Sequence, residues 1–150
     1  MRFGPGLESN RNYRNPVRKL WIYRDIDAPS EAVWELLTNT DSWPAWGPSV
    51  RRAELHGDRF ETGATGTVTT VVGLDLSFVI THCTLGRNWS WRVAGVTATA
   101  HTVRPLDPGR CRAEFGVPWT VAPYLLVCRV ALTRVQKLAE SRPAEPVRVT

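Results

Sequence analysis

The sequence is poor in cysteine and has no long hydrophobic run. Its 150 residues include three cysteines, Cys83, Cys111 and Cys128, which form neither a C-x-x-C pair nor the even-numbered set of a disulfide framework. We therefore expect reduced thiols in a cytoplasmic protein. No stretch approaches the roughly 20 apolar residues of a membrane-spanning helix, and residues 1–16 contain arginine and asparagine where a secretory signal would be apolar. The sequence predicts a soluble protein without stable membrane insertion.

Sequence signatures of metal, nucleophile and phosphate sites are also missing. His82 and Cys83 are adjacent, so a strand would point their side chains to opposite faces, and no second pair completes a four-ligand zinc site. There is no G-x-S-x-G nucleophile motif, and the glycines within residues 63–66 precede a strand without the lysine of a phosphate-binding loop. We therefore expect neither a metal nor a cofactor.

Positive charge is in excess but is dispersed along the chain. The formal net charge is +5, yet many arginines alternate with apolar residues, as solvent-facing strand positions do. Arg51 and Arg52 are adjacent, but no nucleic-acid-binding motif surrounds them. We predict a solvated surface and no nucleic-acid partner. The same charge would suit an anionic ligand or an acidic carrier protein, which it would attract in a salt-dependent way.

Apolar periodicity and turn residues predict an α+β domain. Residues 17–26 have strand character, and Pro29 followed by Glu31 is typical of a helix start. A one-turn helix at 41–46 precedes strand-like segments at intervals of about ten residues, and the longest helix spans 124–141. The six strand-like segments are 50–56, 64–72, 74–85, 90–94, 97–106 and 111–117. We predict one domain at 17–141, with a flexible leader at 1–16 and a tail at 142–150.

Several local strings resemble one known family. They are IDAPSEAVWE at 26–35, DSWPAW at 41–46, FETGATG at 60–66 and SWRVAG at 90–95, with His101 and the loop DPGR at 107–110 in the following hairpin. With the order of elements over 17–140, they resemble the polyketide cyclase/dehydrase and lipid-transport family of the START-like, birch-pollen-allergen-like (SRPBCC) superfamily. The resemblance implies a helix-grip fold, in which a first strand, two short helices and six further strands form a curved antiparallel sheet around the long C-terminal helix and enclose a cavity.

The resemblance implies a small hydrophobic ligand in that cavity, polyketide-like or another secondary metabolite. The family includes aromatase/cyclases as well as lipid and hormone carriers, and its members share the fold without sharing the chemistry. The leading prediction is a ligand-binding protein. Two alternatives stay open. One is a cyclase or dehydratase enzyme, and the other is a non-catalytic regulatory or assembly partner.

The candidate ligand-binding residues are mostly large and apolar. Seven tryptophans are present, and the resemblance places Trp43, Trp46, Trp91 and Trp119 at the cavity mouth or wall, where flat side chains suit an apolar ligand. Inward-facing positions of strands and of the last helix complete the predicted set, which is Trp46, Leu76, Phe78, Ile80, Trp91, Phe115, Trp119, Tyr124, Cys128 and Leu132. Core packing is the alternative role for each of these side chains.

Two histidines are the candidate catalytic residues. His82 alternates with the apolar residues at 76, 78 and 80, so an inward apolar face would carry His82 inward, and His101 lies in a later strand. An imidazole titrates near neutral pH and can act as a general acid or base. Arg92 or Tyr124 would then orient a ketone or enolate oxygen. The alternative for both histidines is a structural, hydrogen-bonded role.

Overall fold

The computed structural model describes residues 18–142, and its elements follow the predicted order. Two short helices follow the first strand, six more strands form a meander, and one long helix ends the domain. The strands are β1 (Lys19–Ile26), β2 (Val50–His56), β3 (Thr65–Thr70), β4 (Asp75–Thr84), β5 (Asn88–Val93), β6 (Val96–Asp107) and β7 (Arg110–Pro118). The helices are α1 (Ser30–Thr38), α2 (Trp43–Trp46) and α3 (Leu125–Ser141), with 3-10 turns at Thr40–Ser42 and Trp119–Tyr124.

The seven strands form one antiparallel sheet in the order β1-β7-β6-β5-β4-β3-β2. From β2 to β7 each strand pairs with its neighbour in sequence, and β1 lies beside β7, where Ile22 is opposite Phe115. Short turns join the strands from β3 to β7, and a longer loop at 57–64 joins β2 to β3. Gly86 in the β4–β5 turn has φ +76°, and Gly95 in the β5–β6 turn has φ +77°. Glycine adopts this backbone conformation without steric cost, so these turns can stay tight.

Helix α1 begins at the proline that the sequence indicated. Pro29 is the N-cap with φ −66°, and its carbonyl accepts hydrogen bonds from the backbone N–H groups of Ala32 and Val33. Glu31 lies in the first turn, where a carboxylate complements the helix dipole. The apolar stripe of α1 is fully buried and consists of Val33, Leu36 and Leu37.

Helix α3 packs on the inner face of the sheet against β1 and β7, and it also contacts α1 and α2. Its buried side chains recur at three- and four-residue spacing, which is the stripe of a helix that faces a core. They are Cys128, Ala131, Leu132, Val135 and Ala139. The predicted burial of this stripe is confirmed. Phe115 of β7 and Trp91 of β5 border the same small space as Cys128 and Ala131 of α3.

The predicted helix-grip fold is confirmed, and the strand ends lie within two residues of the expected positions. The 3-10 turn at Trp119–Tyr124 was not predicted. The leader at 1–16 and positions 143–150 of the tail lie outside the described residues. Arg142, the first residue of the predicted tail, forms an ion pair of 2.7 Å with Glu35 of α1.

Candidate functional site

Aromatic side chains from α2 and β5 fill one end of the inner face. The rings of Trp43 and Trp89 are parallel with centroids 5.5 Å apart, and Trp91 meets Trp43 edge-on at 5.2 Å. The indole N–H groups of Trp43 and Trp46 donate to carbonyls at the C-terminal end of α1, at 3.0 and 2.8 Å. These two bonds fix α2 against α1, so the tryptophan pair has one defined position over the sheet.

A chain of hydrogen bonds links β5 and β6 beside this aromatic cluster. The indole N–H of Trp91 donates to Thr99 Oγ1 at 3.0 Å, and Thr99 Oγ1 lies 3.0 Å from His101 Nε2. His101 Nδ1 lies 3.3 Å from the backbone carbonyl oxygen of Trp89. A carbonyl only accepts, so Nδ1 carries the proton and Nε2 accepts from the hydroxyl of Thr99. Both ring nitrogens of His101 are therefore occupied within the protein.

His101 is neutral because it is buried. Its ring stacks on Trp89 with centroids 3.9 Å apart and meets the edge of Phe115 at 4.8 Å. Burial lowers the pKa of His101 from 6.5 to about 3, and the hydrogen bond to the carbonyl of Trp89 opposes this shift only in part. At neutral pH the imidazole is a structural hydrogen-bonding group with little basicity.

A cavity of about 360 Å³ lies beside this cluster, at the end of the sheet where β2, β4 and β6 begin. Its wall is mostly apolar, with valines from five strands, Leu76 of β4 and the indole of Trp91. Polar groups come from Ser49, the threonines of β3 and β6, and Tyr124. Pockets for small ligands are lined in this way, with a few polar groups in an apolar wall. We refer to this space as the outer cavity.

A smaller space of about 40 Å³ lies deeper, and we refer to it as the inner chamber. It is bordered by the tryptophan cluster, His101, Phe115 and the first turns of α3, including Cys128. Burial raises the pKa of the Cys128 thiol to about 12, so this group is protonated at neutral pH. The residues common to both spaces are Ser49, Val50, Trp91, Thr99 and Tyr124.

A hydrogen bond joins two of the residues that border both the outer cavity and the inner chamber. Ser49 Oγ, in the loop before β2, lies 2.9 Å from Tyr124 Oη, at the end of the 3-10 turn before α3. Both residues border both spaces. This hydrogen bond therefore ties the loop before β2 to the 3-10 turn before α3 across the cavity wall, and we refer to it as the tether.

Six of the predicted ligand-binding residues border these spaces, and four do not. Those that do are Trp46, Leu76, Trp91, Phe115, Tyr124 and Cys128. Phe78, Ile80 and Leu132 are buried in the core. Trp119 is exposed on the surface, because β7 ends at Pro118 and the chain turns into the 3-10 segment there. Contact of the six with a ligand stays a prediction.

The predicted inward position of His82 is wrong. The β4–β5 ladder shifts register between Ile80 and His82, so the alternation of faces established by Phe78 and Ile80 is interrupted. His82 is exposed, and its Nε2 lies 3.2 Å from Thr84 Oγ1, while Cys83 takes the inward position beside Phe60. The guanidinium of Arg92 is likewise exposed and donates to the carbonyl of Gly95, away from the cavity.

Most of the small side chains that line the outer cavity were missed from the sequence, among them Ser49 and Thr97. Two residues of the hydrogen-bonded aromatic cluster were missed as well. Trp89 is buried at the centre of the cluster, and its indole N–H is a buried side-chain donor without a hydrogen-bond partner among residues 18–142. Thr99 connects Trp91 to His101. The alternation of Trp89 with Trp91 is the signal that would have revealed the first of them, because strand positions two apart share a face.

Among residues 18–142, no group of three or more His, Cys, Asp or Glu side chains is arranged to hold a metal ion. Within the same range, no helix has both the length and the apolar character to cross a membrane. At the boundary of the outer cavity and the inner chamber, the side chains present apolar surface and the hydroxyl groups of Ser49 and Tyr124.

Comparisons with known proteins agree with this geometry. Residues 22–140 match the family described as polyketide cyclase / dehydrase and lipid transport. No curated protein sequence matches the chain. The family match covers most of the chain, including every strand from β2 to β7 and nearly all of α3.

Solved structures with low sequence identity share the fold. The Zhui aromatase/cyclase from Streptomyces sp. R1128 is similar with a TM-score of 0.66 and 15% identity, over 88% of this chain and 99% of that one. The conserved protein of unknown function EF2215 from Enterococcus faecalis is similar with a TM-score of 0.64 and 15% identity, over 88% of this chain and 77% of that one. The di-domain ARO/CYC BexL from the BE-7585A biosynthetic pathway is similar with a TM-score of 0.64 and 13% identity, over 80% of this chain and 45% of that one.

Proposed function

Because the chain belongs to the polyketide cyclase / dehydrase and lipid transport family, we propose that it binds a small hydrophobic ligand in the outer cavity. The observation that carries this proposal is an apolar space of about 360 Å³ that the domain keeps beside a densely packed aromatic core. Its volume is at the small end of the range of ligand pockets, roughly 300–1,000 Å³. The flat ring of Trp91 on its wall suits a planar or polyenic molecule.

A polyketide-like or other secondary metabolite is the ligand class that we propose. Two of the similar structures are aromatase/cyclases. Polyketide-like ligands carry several oxygens along an apolar skeleton. Ser49 and Thr97 place hydroxyl groups along the cavity wall, where they would meet the oxygens of a polyketide-like ligand. A cytoplasmic location is part of this proposal, and the buried, protonated thiols of Cys111 and Cys128 suit a reducing compartment.

Titration with the neutral probe N-phenylnaphthylamine tests the proposal. We expect saturable binding at one site, with quenching of tryptophan emission by energy transfer from Trp91. Leu76→Glu, which places a charge on the cavity wall, should weaken binding by about tenfold or more. Ser77→Glu, on the outer face of the same strand, is the matched control and should bind as the native protein does. Absence of saturable binding by the native protein would contradict the proposal.

A cyclase or dehydratase is the second candidate function. The observation that favours it is the position of His101 on the wall of the inner chamber, together with Thr99 and Tyr124. A base whose pKa is about 3 accepts protons poorly at neutral pH, and both ring nitrogens are already bonded. For this reason we favour ligand binding without histidine catalysis.

Turnover of a poly-β-ketone mimic separates the two candidates. An acid–base role would make His101→Gln lose roughly 10²–10⁴-fold in rate, while the exposed His82→Gln serves as the control. We expect no turnover that depends on either residue. A loss of that size in a folded His101→Gln variant would establish the enzyme and refute the carrier.

An acidic carrier protein is the partner that we propose for delivery of a tethered ligand. A groove on the outer side of α3 combines the exposed apolar residues Leu126 and Val130 with a positively charged rim. The rim consists of Arg24, Arg129, Arg134 and Lys137. Reversal of Arg134 and Lys137 to glutamate should abolish a salt-sensitive complex with an acidic carrier protein in a pull-down, and persistence of that complex would exclude this groove.

A further inference from the structure

The end of the sheet at which the outer cavity lies also carries large exposed apolar side chains. In an antiparallel meander, the β3–β4 turn, the β5–β6 turn and the segment after β7 all lie at the same end. The exposed fraction is 77% for Val72 and 59% for Leu74 in the first turn, and 64% for Val96 at the start of β6, directly after the second. It is 58% for Trp119 after β7. We refer to these four residues as the apolar rim.

Basic side chains flank each part of the apolar rim. Arg51 and Arg52 begin β2 beside the end of β3, where the N–H of Val71 donates to the carbonyl of Ser49. Arg92 donates to the carbonyl of Gly95 in the β5–β6 turn. The carbonyl of Arg18 accepts from the N–H of Trp119, and Lys19 follows it in β1.

Negative charge is scarce at this end. Asp75, at the start of β4, is the carboxylate that the register places there among residues 18–142, and it accepts a hydrogen bond from Thr69. The ion pairs found within that range do not involve the five basic residues near the apolar rim. Their charge is therefore directed to solvent or to a partner.

The opposite end of the sheet has a different character. The carboxylates of Asp58, in the β2–β3 loop, and of Asp107, at the end of β6, lie there, and Arg110 at the start of β7 is paired with Asp27. Leu85 is highly exposed there, with an exposed fraction of 83%, and Arg87 follows in the same turn. Exposed apolar and basic side chains thus occur at both ends, but at the opposite end they stand among several carboxylates, whereas Asp75 is the carboxylate near the five basic residues of the cavity end among residues 18–142.

We propose that the cavity end docks on the surface of an anionic lipid bilayer. The apolar rim enters the interfacial region, where tryptophan is favoured, and the five basic residues contact lipid phosphates. The apolar side chains stand on three separate turns around an opening. Exposed side chains on separate turns can each enter a deformable lipid surface. A hydrophobic ligand could then pass from the bilayer into the outer cavity without crossing water.

Docking goes beyond the proposed ligand binding and does not require an occupied cavity. Each basic residue near an anionic surface strengthens binding by about fivefold, and salt screens this attraction. Burial of one aliphatic side chain of the apolar rim in the lipid strengthens binding by a comparable or larger factor. A surface with both contributions binds anionic vesicles reversibly and neutral vesicles weakly.

Vesicle co-sedimentation of the ligand-free protein tests the proposal. We expect binding to vesicles of phosphatidylcholine mixed with phosphatidylglycerol, weak binding to phosphatidylcholine alone, and loss of binding at high salt. Val72→Glu should weaken binding to the anionic vesicles by about tenfold, and the double change Arg51→Gln with Arg52→Gln by about 30-fold. The N-phenylnaphthylamine titration, performed without lipid, reports separately on the cavity.

The opposite end supplies matched controls. Leu85→Glu introduces the same charge at an equally exposed turn, and the double change Arg59→Gln with Arg87→Gln removes two exposed charges at that end. Both variants should bind vesicles as the native protein does. Equal losses at both ends would refute the assigned surface, as would failure of the native protein to bind anionic vesicles. Binding of an acidic carrier protein that Val72→Glu abolishes, without any vesicle binding, would assign this end to a protein partner instead and overturn the proposal.

Discussion

At the scale of single residues, His101 shows how position decides chemistry. Its ring lies between Trp89 and Phe115, and the carbonyl of Trp89 and the hydroxyl of Thr99 occupy its two nitrogens. A histidine in water would be half protonated near pH 6.5, whereas burial makes protonation of His101 costly. The same residue type at position 82 is exposed. Residue type alone therefore could not identify the histidine that borders the inner chamber.

The lowered pKa of His101 predicts a loss of stability in mild acid. Below pH 6.5 the unfolded chain binds a proton at this position, and the folded protein does not do so until the pH approaches about 3. The unfolded state is therefore favoured progressively as the pH falls through this window. Between about pH 7.5 and pH 5, the contribution of His101 to the free energy of unfolding should fall by about 2 kcal/mol.

Urea unfolding at a series of pH values measures this contribution. In His101→Gln, the free energy of unfolding should decrease less between about pH 7.5 and pH 5 than it does in the native protein. The same variant should be less stable than the native protein at neutral pH. His82→Gln, which removes a histidine at an exposed position, is the control variant. An identical slope for His101→Gln and the native protein would contradict the assigned neutral state.

At the scale of elements, periodicity predicted which segments form strands and helices. The stripe of α3 has the three- and four-residue spacing of a helix that faces a core. The inward face of β4 was predicted correctly at Phe78 and Ile80 and incorrectly at His82. The register shift depends on how β4 and β5 pair. The alternation of residues along β4 alone could not predict it, so His82 was assigned to the wrong face.

Helix α3 should tolerate a charge on one face and not on the other. Val135 is fully buried, so Val135→Asp should lower the free energy of unfolding by about 4 kcal/mol or more. Leu132→Ala should cost about 2–5 kcal/mol through the cavity that it leaves. Val130 is exposed on the opposite face, and Val130→Asp should change stability by about 0.5 kcal/mol or less. Equal melting temperatures of the two aspartate variants would show that the buried face is misassigned.

At the scale of the whole molecule, the order of elements implied the fold, while the dimensions of the cavity could not be predicted. The outer cavity stays open because Trp43 and Trp89 fill the other end of the inner face and leave the space beside Trp91 and Leu76 unfilled. That outcome depends on the position of α2, which two indole hydrogen bonds fix against α1. Contacts of this kind join segments distant in sequence and have no periodicity.

The bond between Ser49 and Tyr124 should control the rate at which ligand exchanges. It ties the loop before β2 to the start of α3 across the cavity wall, so opening of that wall must break it. A single hydrogen bond contributes about 0.5–1.5 kcal/mol, and Tyr124→Phe should therefore accelerate association and dissociation of N-phenylnaphthylamine by up to about tenfold. Stopped-flow fluorescence measures both rates. Ser49→Ala should give the same acceleration, and the double variant should add nothing to it. Thr84→Val, which removes a hydroxyl contact at the opposite end, is the control, and native rates in Tyr124→Phe would show that the tether does not limit access.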